Sequence, residues 1–378
     1  MGKGIDGKKL PAGITQRANG LYMGRVMVDG QSSTLYNRSL SQLKKEMVNL
    51  RSQMQNGTYI KPCDLTFEEW FKEWLETYKI PTVKAGTIMA YKKHYSAYIK
   101  KPIGNMKLQN IRPEHLQRLF NDMKAAGKKE NTMQLTYCAM SGAFRQAVKN
   151  ELIAKNPLAL ITRPKGESKM EKVVFTREQQ ALYLKYAEKS YLSGLLKLAI
   201  QTGMRNGELR GLLWSDIDFK NRVIHVRHTL CPQEGGGWRI DTPKTKTSLR
   251  DIPMTDAAYK ILKSEEKAYK ELQGDKVVKI SNDDFVFSVF GKPVSKKRID
   301  YQIEVMLKNM AADGVDFPRF TMHTTRHTFA TRALEAGMPP KVLQTILGHA
   351  TLSMTTDLYA HVMDDTKTKE MEKIAAVL

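Results

Sequence analysis

The stretch Arg163 to Lys172, RPKGESKMEK, constrains this chain more than any other segment. It is polar, contains Pro and Gly, and shows no apolar periodicity, so it reads as an interdomain linker. At 378 residues the chain also exceeds what one hydrophobic core usually serves. The expected organisation is multidomain α+β: residues 1–60, residues 61–162, a linker at 163–174, and residues 175–378.

The partner class follows from charge. Lys plus Arg total 61 against 39 Asp plus Glu, a formal charge of +22, and the excess is spread along the chain rather than gathered in one tail. A polyanion is the expected partner. No stretch approaches the roughly 20 apolar residues of a spanning helix, and MGKGIDGKKLPAG has no apolar signal core, so the chain is expected in the cytoplasm with nucleic acid as the polyanion. MGKGID also lacks the Ser or Thr of a myristoylation signal, having Asp6 there. The three cysteines, Cys63, Cys138 and Cys231, lie too far apart for a disulfide framework or a zinc site.

Residues 1–60 are expected to form a three-stranded sheet and a helix. Ile14 to Arg17, Leu21 to Val28 and Ser32 to Tyr36 are separated by Asn19-Gly20 and Asp29-Gly30, the strongest short hairpin signals. A helix should follow Ser39, with Gln42 at capping-box spacing and Leu43, Met47, Leu50 and Met54 at helical period. Such a unit is too small for an active site but suits a DNA groove, where Arg17, Arg25 and Arg38 could reach bases or phosphates. Residues 61–162 read as all-helical. Thr66 and Glu69 form a capping box ahead of Trp70, Phe71, Trp74 and Tyr78, with further helices near 87–101, 113–126 and 131–149 and a short one before Asn156-Pro157. The lysine pairs Lys92-Lys93, Lys100-Lys101 and Lys128-Lys129 sit where phosphates could be touched without reading sequence. The last domain should be mainly helical from Thr176, with a strand at Arg222 to Arg227 and a hairpin returning through Trp238 to Ile240 and Leu249 to Ile252.

The chain has no phosphate-binding glycine loop, no dinucleotide turn and no Cys/His ligand set. His323 and His327 have zinc-pair spacing, but Arg326 between them would repel a cation. No metal and no cofactor are expected. What remains is an ordered series: TGMRNGEL at 202–209, TPKTKTSLRDIP at 242–253, HTTRH at 323–327, LGH at 347–349 and DLYAH around Tyr359. In this series the chain resembles the tyrosine recombinases, or phage-type integrases, over residues 170–362. With its small N-terminal sheet it is most similar to integrases of conjugative transposons and related phages.

The resemblance implies a site-specific recombinase that integrates and excises a mobile element. Tyr359 would be the nucleophile, forming a 3′-phosphotyrosyl link, with Arg205, Lys244, His323, Arg326 and His349 completing the catalytic set and Glu208 supporting it. It further implies double-stranded DNA with core-type and arm-type sites as partner, a homotetramer on that DNA, and an excision factor and a DNA-bending protein as accessory partners. A type IB topoisomerase and a non-cutting DNA-binding regulator are the rival readings.

Physical chemistry agrees with these assignments. Attack on a phosphodiester gathers negative charge on nonbridging oxygens, and guanidinium is permanently charged and forks onto them. A free tyrosine with pKa about 10 is ionised about one part in a thousand at neutral pH, a deficit of roughly 4 kcal/mol that nearby cations offset. The 5′ leaving oxygen needs a proton, which a desolvated lysine supplies; Lys244 is the first choice and Lys246, on the same face of an extended strand, the second. His361 and His225 are expected to be structural. A tail helix after Asp364-Asp365 would carry Met371, Ile374, Ala375 and Leu378 as an apolar stripe, docked either on its own domain or on a neighbour.

Overall fold

The structure, a computed structural model, describes residues 4–352 apart from 6, 58, 165–172, 234, 242–245, 273–280 and 282. The protein is α+β and divides into two compact units, Met1–Lys169 and Met170–Leu378. That division falls inside the polar stretch described above. Tyr359, His361, Lys244 and the tail stripe from Met371 to Leu378 lie outside the described residues.

In the first unit β1 (Ile14–Gln16), β2 (Tyr22–Val28) and β3 (Gln31–Asn37) form an antiparallel sheet in that order. Asp29 and Gly30 both take positive φ, 47° and 80°, as a type I′ hairpin turn requires. Helix α1 (Leu40–Gln55) lays Leu43, Leu50 and Met54 against Ile14 and Val26. The approach is so close at Gly24 that a Cβ would stand 2.3 Å from Met47 Sδ. The opposite sheet face is exposed and carries Arg25, Thr34 and Tyr36. Only half of the predicted cap at Ser39 forms: its hydroxyl accepts from Gln42 N, while its own N–H is taken by Asn37 Oδ1 at 2.9 Å.

The α-helices that follow α1 in this unit are α2 (Phe67–Trp74), α3 (Ala85–His94), α4 (Pro113–Ala125) and α5 (Glu130–Lys149). The Thr66/Glu69 capping box opens α2 as expected. Its buried face, Phe67, Trp70, Phe71 and Trp74, packs with Met140 and Phe144 of α5, and the Trp70 indole N–H donates to the Ala143 carbonyl at 3.0 Å. The helix expected at 87–101 changes to π-helical turns at Tyr95–Gly104; Pro102 lies inside them and cannot donate to the ordinary ladder. The short helix expected before Asn156-Pro157 instead begins there, as a 3₁₀ turn Pro157–Leu160 capped by Asn156, because Pro at a first helical position loses no bond.

The second unit contains α6 (Arg177–Glu188), opened by a Thr176/Gln179 capping box, then α7 (Ser193–Thr202) and α8 (Asn206–Arg210). Strands β4 (Ile217–Asp218), β5 (Val223–Val226), β6 (Thr229–Pro232), β7 (Trp238–Asp241) and β8 (Arg250–Pro253) follow, then α9 (Asp256–Leu272), a small hairpin of β9 (Ser288–Val289) and β10 (Lys292–Pro293), α10 (Lys296–Ala312), α11 (Met322–Glu335) and α12 (Pro340–Leu347). The hairpin expected through Trp238 and Leu249 is not one ladder: β7 pairs with β6, whereas β8 pairs with β5 in a sheet ordered β4-β5-β8. Burial explains the split. Arg250 and Ile252 alternate inward opposite Val226 and Ile224, while most of β7 faces solvent. The core of this unit gathers Leu195, Leu198, Leu209, Leu262, Ile299 and Phe320 around that sheet.

All three cysteines are free, and among the described residues no helix is long and apolar enough to cross a membrane. The packing of α5 on α2 is testable at Gly142, where a Cβ would stand 2.5 Å from the fully buried Trp74 ring. Gly142→Ala gains about 1 kcal/mol of helix propensity, but overpacking costs about 1–3 kcal/mol, so urea denaturation is expected to show net destabilisation. A variant as stable as the wild type or more so would refute close packing there.

Candidate active site

Helix α12 ends at Gly348, which takes the left-handed conformation at φ 63°. The last carbonyls of a helix have no intrahelical partner and form the negative end of its dipole. Three successive ones each receive a different arginine. Arg250 Nε donates to Ile346 O at 2.5 Å, Arg326 Nη2 to Leu347 O at 2.7 Å and Arg205 Nη2 to Gly348 O at 2.9 Å. These arginines arrive from β8, from α11 and from the N-cap position of α8. A Cβ at Gly348 would also stand 3.1 Å from the Arg250 side chain, which would have to shift by a few tenths of an ångström to admit it.

Glu208 holds two of the three together. Its Oε1 accepts from Arg205 Nη1 at 2.9 Å and Arg250 Nη1 at 3.1 Å; its Oε2 accepts from the Arg205 backbone N–H at 2.9 Å and Arg250 Nη2 at 2.8 Å. Burial pushes this carboxyl up, but the bonds and charge of Arg250 together with Arg205 outweigh it and hold Glu208 below the usual carboxylate range. Arg326 is buried and also donates to Gly203 O at 2.8 Å. Burial first, then the charge of Arg205, pulls its pKa down to about 9, so it stays cationic at neutral pH. Of the three side chains Arg205 is the open one, 33% exposed against 2% for Arg250.

His349 follows directly. Its backbone N–H donates to Gln344 O at 3.1 Å and its carbonyl accepts from Gln344 Nε2 at 3.2 Å. Burial, then Arg326, Arg205 and Arg250, pulls its imidazole down to about 3, so it is a neutral ring at pH 7. His323 stands exposed in the first turn of α11, its backbone N–H held by Thr321 Oγ1 at 3.2 Å and its ring edge-to-face with His327 at 4.8 Å. Lys246 opens a 3₁₀ turn, Lys246–Ser248, and not the extended strand expected of it.

The structure thus brings Arg205, Glu208, Arg326 and His349 to one helix end. The predicted DNA-contacting residues are instead distributed over the first unit, all exposed. Arg17 stacks over Tyr36 at 4.9 Å, Arg25 donates to Ser32 Oγ at 3.2 Å, and Arg38 precedes α1. Lys92 and Lys93 end α3, and Lys128 and Lys129 join α4 to α5. His225 is engaged with Asp251 at 2.8 Å beside Arg227, in line with a structural role. Arg250 was not among the predicted site residues. Its only sequence signal is alternation with Ile252, which places a charge on the inward face of a strand and so demands a buried carboxylate.

Three guanidiniums, one carboxylate and a neutral imidazole leave an excess of two positive charges, suited to an anion whose charge grows during reaction. Among the described residues no cluster of His, Cys, Asp and Glu could hold a metal ion.

Comparison with known proteins places this geometry. The phage integrase family model matches residues 167–366, and the N-terminal SAM-like domain of phage integrases matches residues 66–124. The transposase of transposon Tn916 from Enterococcus faecalis is 27% identical over 97% of this chain and 95% of its own length. A XerC-like tyrosine recombinase from Caldanaerobacter subterraneus subsp. tengcongensis is 29% identical over 88% and 87%. Among solved structures, the Tn1549 transposon integrase in complex with a circular intermediate DNA superposes with a TM-score of 0.71 at 27% identity, covering 82% of this chain and 99% of that one. A lambda integrase dimer on a core site shares the fold at 22% identity and TM-score 0.55.

The neutral burial of His349 has a signed consequence. Above its ordinary 6.5 both folded and unfolded chains carry the neutral ring; from 6.5 down toward about 3 only the unfolded chain takes up the proton. Stability contributed by this residue is therefore lost as pH falls, by up to about 1.4 kcal/mol per pH unit. Urea denaturation between pH 6.5 and 5 should give a shallower pH slope for His349→Gln than for the wild type. Superimposable slopes would show that the ring is protonated in the folded protein.

Proposed function

The chain belongs to the phage integrase family and is a tyrosine recombinase, an enzyme of site-specific DNA strand exchange; from that premise we propose that it integrates and excises a mobile element through a 3′-phosphotyrosyl link to Tyr359. The observation that carries this reading is the triple guanidinium cluster on the end of α12, set just before Tyr359 in the chain. Cleavage passes the Tyr359 phenolic proton to His323, forms the bond from the phenolic oxygen to phosphorus and breaks the bond from phosphorus to the 5′ oxygen. That oxygen takes its proton from Lys244, with Lys246 as the alternative donor. Rejoining reverses each transfer when a 5′ hydroxyl of the partner strand attacks, so phosphodiester energy is kept in the covalent link and the step balances without ATP or metal.

Arg205, the exposed fork, takes the nonbridging oxygens, with the neutral ring of His349 as a further hydrogen-bond partner for them. Arg326 acts from its buried position by charge. The helical region from Thr66 and the second unit would grip core-type sites, while the exposed face with Arg17 and Arg25, and the neighbouring Arg38, would bind arm-type sites; the lysine pairs Lys92-Lys93 and Lys128-Lys129 would hold backbone phosphates. A tetramer on paired sites, an excision factor and a DNA-bending protein complete the proposed assembly.

Tyr359→Phe is expected to abolish protease-sensitive covalent attachment to a nicked core-site duplex while leaving affinity within about threefold, since only the nucleophilic oxygen is lost. Attachment at the wild-type rate would assign the nucleophile elsewhere; absence of a tyrosine link in both proteins would favour a DNA-binding regulator. Removal of residues 1–58 is expected to leave cleavage of a short core duplex intact and to eliminate retention of a separate arm-site duplex in a gel-shift assay. Loss of core cleavage would contradict the separation of the two binding functions.

A further inference from the structure

The strongest unassigned group in the second unit is Arg250. Its side chain is 2% exposed, so it cannot reach a phosphodiester. Yet the four hydrogen bonds it donates all go to parts of the candidate site: Nε to Ile346 O, Nη1 to Glu208 Oε1 and Ser248 O, and Nη2 to Glu208 Oε2. Through Glu208 it fixes the Arg205 side chain and backbone, because the same two carboxylate oxygens accept from Arg205 Nη1 and Arg205 N. Through Ile346 it fixes the helix end whose next two carbonyls hold Arg326 and Arg205 and whose continuation carries His349. It also begins the strand that directly follows the segment carrying Lys244 and Lys246.

We propose that Arg250 is a positioning residue for strand cleavage: it sets the direction of the Arg205 fork and the place of the α12 end, without touching DNA. The inference rests on the reading of Arg205 as the guanidinium that faces the scissile phosphate. A planar fork is needed for it, since one ammonium cannot bridge Glu208 and Ile346 in the same geometry. The cost of misplacing Arg205 falls on the step where charge develops, not on ground-state binding.

The test compares Arg250→Lys with Arg205→Lys and wild type on a nicked duplex of the protein's own core site, with either an ordinary scissile phosphate or a methylphosphonate. The methyl group removes one nonbridging oxygen and its charge, and with it much of the need for an oriented guanidinium. Melting temperature and DNA affinity are measured alongside. For Arg250→Lys the expected result is a folded protein, affinity within about threefold, cleavage of the phosphodiester slowed at least about thirtyfold, and a loss that shrinks to a few fold on the methylphosphonate, in parallel with Arg205→Lys. Equal losses on both substrates, or an unfolded Arg250→Lys protein, would make Arg250 a fold-stabilising residue and overturn the proposal, as would wild-type cleavage. If Arg205→Lys itself cleaves the phosphodiester normally, the reading of Arg205 fails and the inference falls with it. If Arg205→Lys behaves as expected and Arg250→Lys does not, only the inference fails.

Discussion

Like charges brought close together must be held there by something, and the second unit is organised around that necessity. Arg205, Arg250 and Arg326 come from three separate elements, and among the described residues their mutual repulsion is offset above all by two devices, the carboxylate of Glu208 and the three carbonyls at the end of α12, with Gly203 O and Ser248 O each taking one further bond. Each device is itself incomplete without the arginines. An isolated Glu208 would be a buried, unpaired charge, and the bare helix end would leave three buried or half-buried carbonyls without these partners. The cluster is therefore a set of mutual obligations, and removing one member leaves others with a desolvation penalty and no return.

Much of the fold was legible because it is local. The Asp29-Gly30 turn, the Thr66 and Thr176 caps and the apolar face of α2 depend on residues within a few positions of one another. The errors are nonlocal or competitive. Ser39 lost half its predicted cap to Asn37, a neighbour with an equally good acceptor. The pairing of β7 with β6 and of β8 with β5 depends on which face each strand buries, and no turn signal encodes that. In the site, Arg205, Glu208, Arg326 and His349 were legible as an ordered series of residue types, and the structure brings them to one helix end. Arg250 lay inside the same quoted motif and went unassigned, because its importance is visible only once its strand is known to face inward.

Lysine and arginine play different parts in two of the places where the chain's positive charge gathers. Exposed lysine pairs on the first unit, such as Lys92-Lys93 and Lys128-Lys129, carry compact point charges on long stems, which suit attraction without a fixed orientation. The cluster in the second unit is built from guanidinium alone, each oriented by hydrogen bonds to named acceptors. Loose attraction and directed charge are thus supplied by different chemistries. His349 belongs with the second kind: surrounded by cations, it stays neutral and adds hydrogen-bonding capacity without adding to the repulsion.

The carbonyls of residues 346–348 also order events in time. The bonds they accept span 143, 96 and 21 residues of sequence. At roughly 5–20 residues per second of synthesis, Arg205 emerges some 7–30 seconds before the carbonyl that will hold it. The first unit, Met1–Lys169, is by then long complete. The cluster can therefore close only after residues 346–348 have been made, well after the whole of the first unit.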